Sequence, residues 1–571
     1  MIKSIKKLLL LLSPRTKSFL PFILISLIVI GFLEMLSVVL LMPLISSNQF
    51  NGLSQANDNT TFSNGLGLIG AIYRFFSISG IKDMAIFVVF YMFIKHILII
   101  FLNYIQYKII FNNDIWLRNQ LLDKYLSFDY LKFNKVRSSE LIRNTADQVG
   151  QISYGSLLSL LTITTEVIVI VVLLGLVFFT IPPLSAVSII LVFLLGLLPF
   201  YVFKKRMITL GKTRFNSIAK TISEIQNIYN LYVEIKLYRL KPFFLKRVRS
   251  QSVIFSNAQI QNNIITNIPK GIIEIAAVVV ILILIVTTKS GKEFLPTIAI
   301  IVTSIFRITP SFTRISSALT QYKFSIEQIN VLNSVISEPQ NDSNLGNPVT
   351  VEESFSIFEN DISLDNIDFA YDIEHQLLQN FNLRIKKGDF IILKGKSGKG
   401  KSTIIKILMG MINPDKGDVL IDGKLLAKIE ILHWYRQIGY VPQKPVIIEG
   451  TLRENICLGL KSEEIEFENY SNAVKNAQLN EILELWGDEK ILSEEGGSIS
   501  GGQAQRLGIA RALYGCPSIL FLDEPTSALD HKNAKLIISV LSKLNKEKNY
   551  TIVIITHSNE FDDFASRIIE L

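Results

Sequence analysis

Six stretches of this 571-residue chain are long and apolar enough to cross a hydrocarbon layer of ~30 Å, which takes about 20 helical residues. They cover residues 19–45, 84–107, 153–179, 184–203, 264–286 and 294–316. In lipid every backbone polar group must find its partner within the chain, so these runs are expected as helices. The first is preceded by KSIKK and SPRTK and is too long for a signal-peptide core, so it is expected to stay as a span. Composition agrees with a mixed chain. Hydrophobic residues make up 49%, charged residues 19%, and the mean hydropathy is +0.38. That is too apolar for a soluble enzyme and too charged for membrane helices alone. Disordered, collagenous and disulfide-stapled classes are excluded. Cys457 and Cys516 read as small buried hydrophobes.

The formal charge of +9 does not point to nucleic acid, because the basic residues cluster beside the apolar runs. Residues 108–152 carry seven Lys or Arg and residues 204–262 carry twelve, whereas 46–83 carry only Arg74 and Lys82. The excess of cations on the cytoplasmic side places both termini and both basic loops in the cytoplasm of a multi-pass inner (plasma) membrane protein. The basic loops are poor in Gly and Pro and have helical composition, as in RNQLLDKYL and KTRFNSIAKTISEIQNIYNLY. Each is expected to form two helical extensions joined by a turn, near residues 134–140 and 230–238. At ~1.5 Å per residue, an extension of about 25 residues reaches ~40 Å past the membrane. Taken alone, the charges fit a face on lipid headgroups equally well. The external loop, polar at NGLSQANDNTTFSNG and apolar at LGLIGAIYRFF, suits either a short helix on the outer membrane surface or a packed cap.

Beyond the sixth run a helical pattern continues to about Ile336, and the turn-rich SEPQNDSNLGNPV follows. The expected division is a membrane domain at 1–336, a linker at 337–357 and a third region at 358–571. In that region strands alternate with helices, which implies an α/β fold with a largely parallel sheet.

The strongest motif is Gly395-Lys396-Ser397-Gly398-Lys399-Gly400-Lys401-Ser402-Thr403, between the apolar strand DFIILK and the helical IIKILMGM. This is a phosphate loop in its required strand–loop–helix setting. Its glycines let backbone N–H groups close around phosphate oxygens at a helix N-terminus. Lys401 is expected to reach the β- and γ-phosphates of ATP, and Ser402 to ligate Mg²⁺. Farther on, the buried-strand pattern ILFL ends in Asp523-Glu524. An acid at the carboxyl end of such a strand faces the nucleotide crevice. Asp523 suits the metal shell and Glu524 suits orienting or deprotonating the attacking water.

Between these motifs lies Ile499-Ser500-Gly501-Gly502-Gln503, followed by the helical AQRLGIARALYG. ISGGQ resembles the signature of ABC-type ATPases, and the other elements of that family appear in order. Tyr371 in FAYD resembles the aromatic platform for adenine. Gln443 in YVPQ resembles the glutamine that links the metal and the attacking water to the membrane domain. SALD at 527–530 resembles the D-loop, and His557 in IITH the switch histidine. Lys399, Pro525 and Ser558 depart from common choices without removing a catalytic group. In the family the signature of one ATPase domain completes the phosphate loop of another. The resemblance therefore implies a homodimer with two composite sites, a heterodimer with another half-transporter remaining open.

Six spans ahead of one ATPase domain resemble exporter-type (type IV) ABC half-transporters. That resemblance implies a six-helix transmembrane domain with long cytoplasmic extensions, fused to an α/β P-loop ABC ATPase domain. Its two cytoplasmic turns would dock on ATPase domains, and SEEGGS at 493–498 resembles the loop that receives them. Ionisable residues inside the spans carry the cargo argument, because they are costly in lipid. Arg307 and Arg314 lie two turns apart on one helical face, and with Lys270 they could hold a phosphate or pyrophosphate group. Snorkelling to the inner headgroups is the better reading for Arg314 and Lys270 taken singly. Glu34, Glu166 and Lys95 are read as interhelical ion pairs ahead of substrate contacts. LEMLSVVLLMPLI, NIPKGIIEIAAV and FRITPSFTR resemble PglK-type flippases of lipid-linked oligosaccharides, with Lys270 where an arginine is usual. The cargo this implies is a polyprenyl-pyrophosphate-linked glycan moved from the inner to the outer leaflet. The alternative is an exporter of peptide, drug or another lipid with the same engine.

Overall fold

The structure, a computed structural model, describes residues 2–45, 81–180, 195, 198–199, 201–287, 294–338, 358–372, 375–487, 489–492, 499–527 and 529–571. The chain divides into two compact units. One comprises Met1–Leu126 with Lys135–Pro339, and the other comprises Ser127–Asn134 with Gln340–Leu571. The short segment 127–134, expected from sequence to belong to the membrane domain, thus groups with the C-terminal unit.

The first unit is helical. Among the described residues, three helical stretches are long and apolar enough to cross a membrane: Leu20–Ser37, Ala85–Leu126 and Ser138–Val172. The first three expected runs fall on them. The fifth and sixth lie on helices Lys241–Thr287 and Phe294–Phe324. The fourth run falls largely outside the described residues, as do residues 46–80, which hold nearly all of the loop expected to be external, and most of the linker. The Ile81–Leu126 helix leaves Ile86, Val89, Phe90, Phe93, Ile97 and Ile100 exposed, the surface a lipid-facing helix presents.

Polar side chains join helices inside this apolar unit, where packing alone gives little hydrophobic drive. Lys95 Nζ, almost fully buried, pairs with Glu34 at 3.1 Å, and Tyr91 donates to the Leu33 carbonyl at 2.7 Å. The Gln106 amide donates to Ser26 Oγ at 2.8 Å. Glu34 and Lys95 thus form the interhelical pair expected of them. The N-terminal helix Ile2–Leu10 buries Leu8 in a cluster with Leu117, Leu121, Ile152, Tyr322 and Leu332. Lys7 secures it by donating to Asn330 at 2.8 Å.

The two basic segments expected as helical extensions are helices with turns between them. The second turn holds the short helix Tyr232–Leu237, where expected, with Tyr232, Val233 and Leu237 exposed. The first reversal likewise holds a short helix, Tyr130–Lys135, which Asp129 starts by accepting the Lys132 N–H at 2.9 Å; the chain breaks before it at 127–129 and after it at 136–137, the latter within the expected turn.

The second unit is α/β. Its strands are β1 (Asp361–Asp372), β2 (His375–Lys386), β3 (Phe390–Lys394), β4 (Lys416–Ile421), β5 (Lys424–Leu425) and β6 (Ile438–Val441). They continue with β7 (Gly450–Thr451), β8 (Ile491–Leu492), β9 (Ile519–Asp523), β10 (Thr551–Ile555) and β11 (Arg567–Glu570). An antiparallel sheet has the order β2-β1-β4-β5, and a parallel sheet has the order β11-β3-β10-β9-β6. FIIL, ILFL and TIVII are fully buried, as expected for strands covered on both faces. The two sides of this sheet form two apolar cores, and Tyr130 and Leu131 of the first turn pack on the one shared with the antiparallel sheet.

Gly211 marks a tight helix contact in the first unit. A Cβ there would lie 2.3 Å from the Phe324 carbonyl oxygen, which as backbone cannot swing aside. Gly211→Ala should therefore destabilise the first unit by roughly 1–3 kcal/mol. A fall in the thermal unfolding midpoint of the detergent-solubilised protein is the expected readout; an unchanged midpoint would show that the helices separate at no cost.

Candidate functional site

Parallel register gathers the site. In the parallel sheet, Ile555 of β10 lies opposite Leu393 of β3 on one side and Asp523 of β9 on the other. The loop after β3, the acids after β9 and the histidine after β10 therefore leave the sheet at one end, where ligands bind in open α/β sheets.

The phosphate loop runs from Gly395 to the helix Lys401–Leu408. Gly395, Gly398 and Gly400 have φ of 144°, 82° and 94°, a region in which a side chain is strained. At Gly400 a Cβ would also press on Leu378 and Leu377, at 3.1 and 3.2 Å. Lys396, Ser397 and Lys399 are exposed on the loop. Lys401 is buried and donates to the carbonyls of Gly395 at 2.6 Å and Lys396 at 3.1 Å. Its ammonium is thus held over the loop that would cradle phosphates. Tyr371 is half exposed, stands edge-on to Phe369 with centroids 4.9 Å apart, and shares a hydrogen bond of 3.1 Å with Thr403. That bond fixes an aromatic face beside the loop, a contact that motif spacing does not reveal.

Asp523 is partly buried, and burial pushes its carboxyl above the usual aspartate range while the Ser402 hydroxyl works in the opposite direction. Ser402 and Asp523 offer the hydroxyl and carboxylate oxygens that suit Mg²⁺. Glu524 sits at φ 47°, a left-handed conformation uncommon outside glycine, and its N–H is held by the Ile555 carbonyl at 2.9 Å. Backbone strain of this kind persists where the surrounding structure over-determines it. Its carboxylate receives two side chains. Gln443 Nε2 donates to Oε2 at 2.9 Å, and His557 Nε2 lies 3.5 Å from Oε1. Three residues separated widely in sequence thus meet at one carboxylate.

The signature opens the helix Gly501–Tyr514. Ser500 caps it by accepting the Gln503 N–H at 3.3 Å, and the Gln503 side chain accepts the Ser500 N–H at 2.8 Å. A Cβ at Gly502 would lie 2.9 Å from the Asn533 side chain. Ser500 and Gly501 are exposed. Among the described residues the Ser500 and Gln503 side chains bond each other's backbone N–H, and neither bonds the phosphate loop of the same chain. Asp530 caps the helix His531–Lys548, accepting the Asn533 N–H at 2.8 Å, and Ser527 donates to the Glu524 carbonyl at 3.1 Å. Ala528 and the segment 493–498 lie outside the described residues.

Sequence reasoning missed Tyr130 and Lys406. Lys406 Nζ lies 4.8 Å from the Tyr130 ring centroid, so the segment 127–134 rests on the helix that follows the phosphate loop. The aromatic run in SFDYLKF was the available signal.

Of the expected cargo residues, Lys270 and Arg314 each lie beside a carboxylate. Lys270 lies 3.9 Å from Glu274, one turn along its own helix. Arg314 is not a free cation: its Nε donates to Glu166 Oε1, and Nη2 lies 3.2 Å from Oε2. Glu166 forms the interhelical pair expected of it, with a partner that sequence alone did not assign. The Arg307 side chain lies outside the described residues.

Comparison with known proteins agrees with this geometry. A family model described as ABC transporter matches residues 378–527, and one described as ABC transporter transmembrane region matches residues 20–309. Multidrug resistance protein 1 of Entamoeba histolytica is 41% identical over 203 residues, 34% of this chain and 15% of that protein. ATP-dependent permease MDL1 of Candida albicans is 35% identical over 214 residues, 37% of this chain and 31% of that one. Leukotoxin translocation ATP-binding protein LktB of Mannheimia glucosida is 39% identical over 214 residues, again 37% of this chain and 30% of that protein. The chain thus spans less than a third of the length of these relatives. In fold it is similar to a bacterial Atm1-family ABC exporter solved with ATP bound, at a TM-score of 0.76 and 17% identity over 97% of this chain and 94% of that one. With the transmembrane-region match alone covering more than half of its residues, this multi-pass membrane chain, a membrane region fused to an α/β ATPase domain, belongs to the ABC transporter family.

Proposed function

We propose that two copies of this chain form an ATP-hydrolysing exporter that moves a polyprenyl-pyrophosphate-linked oligosaccharide from the inner to the outer leaflet. The observation that carries the ATPase reading is the Glu524 carboxylate, held between Gln443 and His557 at the end of the sheet that bears the phosphate loop. Gly395–Thr403 would wrap the phosphates, Lys401 would reach the β- and γ-phosphates, and Tyr371 would stack on adenine. Mg²⁺, held by Ser402, Asp523 and Gln443, would supply charge neutralisation at the phosphates. Glu524 would accept a proton from the attacking water, with His557 orienting the same carboxylate. Ser500, Gly501, Gly502 and Gln503 of the second copy would close each site, since within one chain this signature leaves Ser500 and Gly501 exposed. Closure of the ATPase pair would then shift the membrane helices between inward- and outward-open states.

The cargo reading is supported by the cations Lys270, Arg307 and Arg314 in apolar helices and by the three local resemblances to PglK-type flippases. The head group would meet these cations while the lipid tail stays in the membrane. The charge asymmetry of the loops supports a plasma-membrane protein with both termini and the basic turns on the cytoplasmic side of the inner membrane. Drug, peptide or toxin export is the second reading, favoured by the printed names of the relatives, although each alignment leaves about two thirds of this chain uncovered.

Two measurements test these roles. Glu524→Gln should lower the ATPase rate by about 10²–10⁴-fold, the usual contribution of a general base, while ATP binding persists and stabilises a dimer on size exclusion. Wild-type hydrolysis in this variant would remove Glu524 from the chemistry. In proteoliposomes, Arg307→Ala or Lys270→Ala should cut translocation of a pyrophosphate-linked glycolipid by about tenfold or more, as expected for loss of a charge-assisted hydrogen bond. Undiminished translocation, together with ATPase stimulation by apolar drugs, would favour the second reading.

A further inference from the structure

The Arg314–Glu166 pair has an unequal exposure that a purely structural ion pair does not need. The Glu166 side chain is only 10% exposed, whereas that of Arg314 is 47% exposed. Glu166 occupies one edge of the guanidinium, Nε and Nη2, and Nη2 also faces Ser311 Oγ at 3.5 Å. Among the described residues Nη1 makes no hydrogen bond. A guanidinium has five N–H donors in a planar fork, so the second edge can take an oxyanion without moving. The two residues come from different helices, Leu158–Thr180 and Phe294–Phe324, and the carboxylate lies within an apolar span. Without Arg314 that carboxylate would be a buried unpaired charge, a costly state. It would therefore draw the guanidinium back once another anion had left.

Resting on the cargo reading above, we propose that Glu166 is a tethered competitor of the cargo's pyrophosphate for Arg314. It holds the guanidinium in place, offsets its charge so that the head group binds only moderately, and reclaims it on release. Tight binding alone would not serve a transporter, because a cargo held by an uncompensated buried cation would leave slowly. Glu166 is thus a positioning residue: it acts on cargo through Arg314.

This role separates affinity from turnover. In proteoliposomes containing the full-length protein, ATPase stimulation is titrated with undecaprenyl pyrophosphate, and translocation is followed separately at saturation. Glu166→Gln should lower the half-saturating lipid concentration by about tenfold or more, given the coupling of close charge pairs, while maximal translocation falls. Glu166→Asp, which keeps the charge, should stay near wild type on both axes. Free inorganic pyrophosphate is assayed in parallel, and its competition with the lipid should strengthen in Glu166→Gln. Loss of a merely structural contact would instead raise half-saturation or lower thermal stability. A responsive wild type whose half-saturation is unmoved or raised by Glu166→Gln would overturn the role of Glu166 alone. A wild type that ignores undecaprenyl pyrophosphate would overturn the cargo reading and this role together. If Glu166→Gln fails to insert, Glu166→Asp decides: a displacement of its half-saturation to the level of Arg314→Ala would refute competition, and wild-type behaviour would uphold it.

Discussion

The parallel register of β10 between β3 and β9 is the constraint on which the nucleotide site depends. Backbone hydrogen bonds put Ile555 level with both Leu393 and Asp523, and the three following segments then have one direction in which to leave. Because all three strands are buried on both faces, slippage by one residue would carry ladder hydrogen bonds and side chains out of place together. The Glu524 N–H is anchored to the Ile555 carbonyl, so the left-handed backbone that aims this carboxylate is itself held by the sheet. Rigid strands thus position a strained residue, and the strain places its carboxylate where Gln443 and His557 reach it.

The membrane unit meets a different constraint. In an apolar surrounding a charged side chain must find a partner, and the partners here lie on other helices: Lys95 with Glu34, and Arg314 with Glu166. These pairs fix which helix faces meet, a task that uniformly apolar surfaces perform poorly. They also divide the ionisable residues by exposure. Lys95 is enclosed and suits a structural tie, whereas Arg314 keeps one edge open.

Much of this was legible in order of motif strength. The phosphate loop, the Asp523-Glu524 pair and ISGGQ depend on local backbone chemistry: glycines at positive φ, an acid ending a buried strand, a serine capping a helix. Such features survive in a linear reading because neighbours in sequence create them. The turn near 134–140 was readable, but the short helix that leads into it was not: it depends on Asp129 capping a helix and on Tyr130 packing against a core made by strands more than 200 residues away. Tyr371 was readable as an aromatic platform, but its bond to Thr403 was not, since no spacing rule links the two. Arg314 was read as one of three convergent cations, and its pairing with Glu166 could not be seen because the two are 148 residues apart.

By itself the sequence determined the division of the chain into membrane helices and an α/β ATPase domain, and the identity of its nucleotide motifs. Both follow from hydrophobic run length and from short-range backbone geometry, which are properties of neighbours. Only the tertiary structure decided which carboxylate meets which cation, what the short helix at the first turn packs against, and that Glu524, Gln443 and His557 share one point. Those outcomes depend on strand register and helix-face packing, where residues remote in the chain compete for a single place and close packing admits one arrangement.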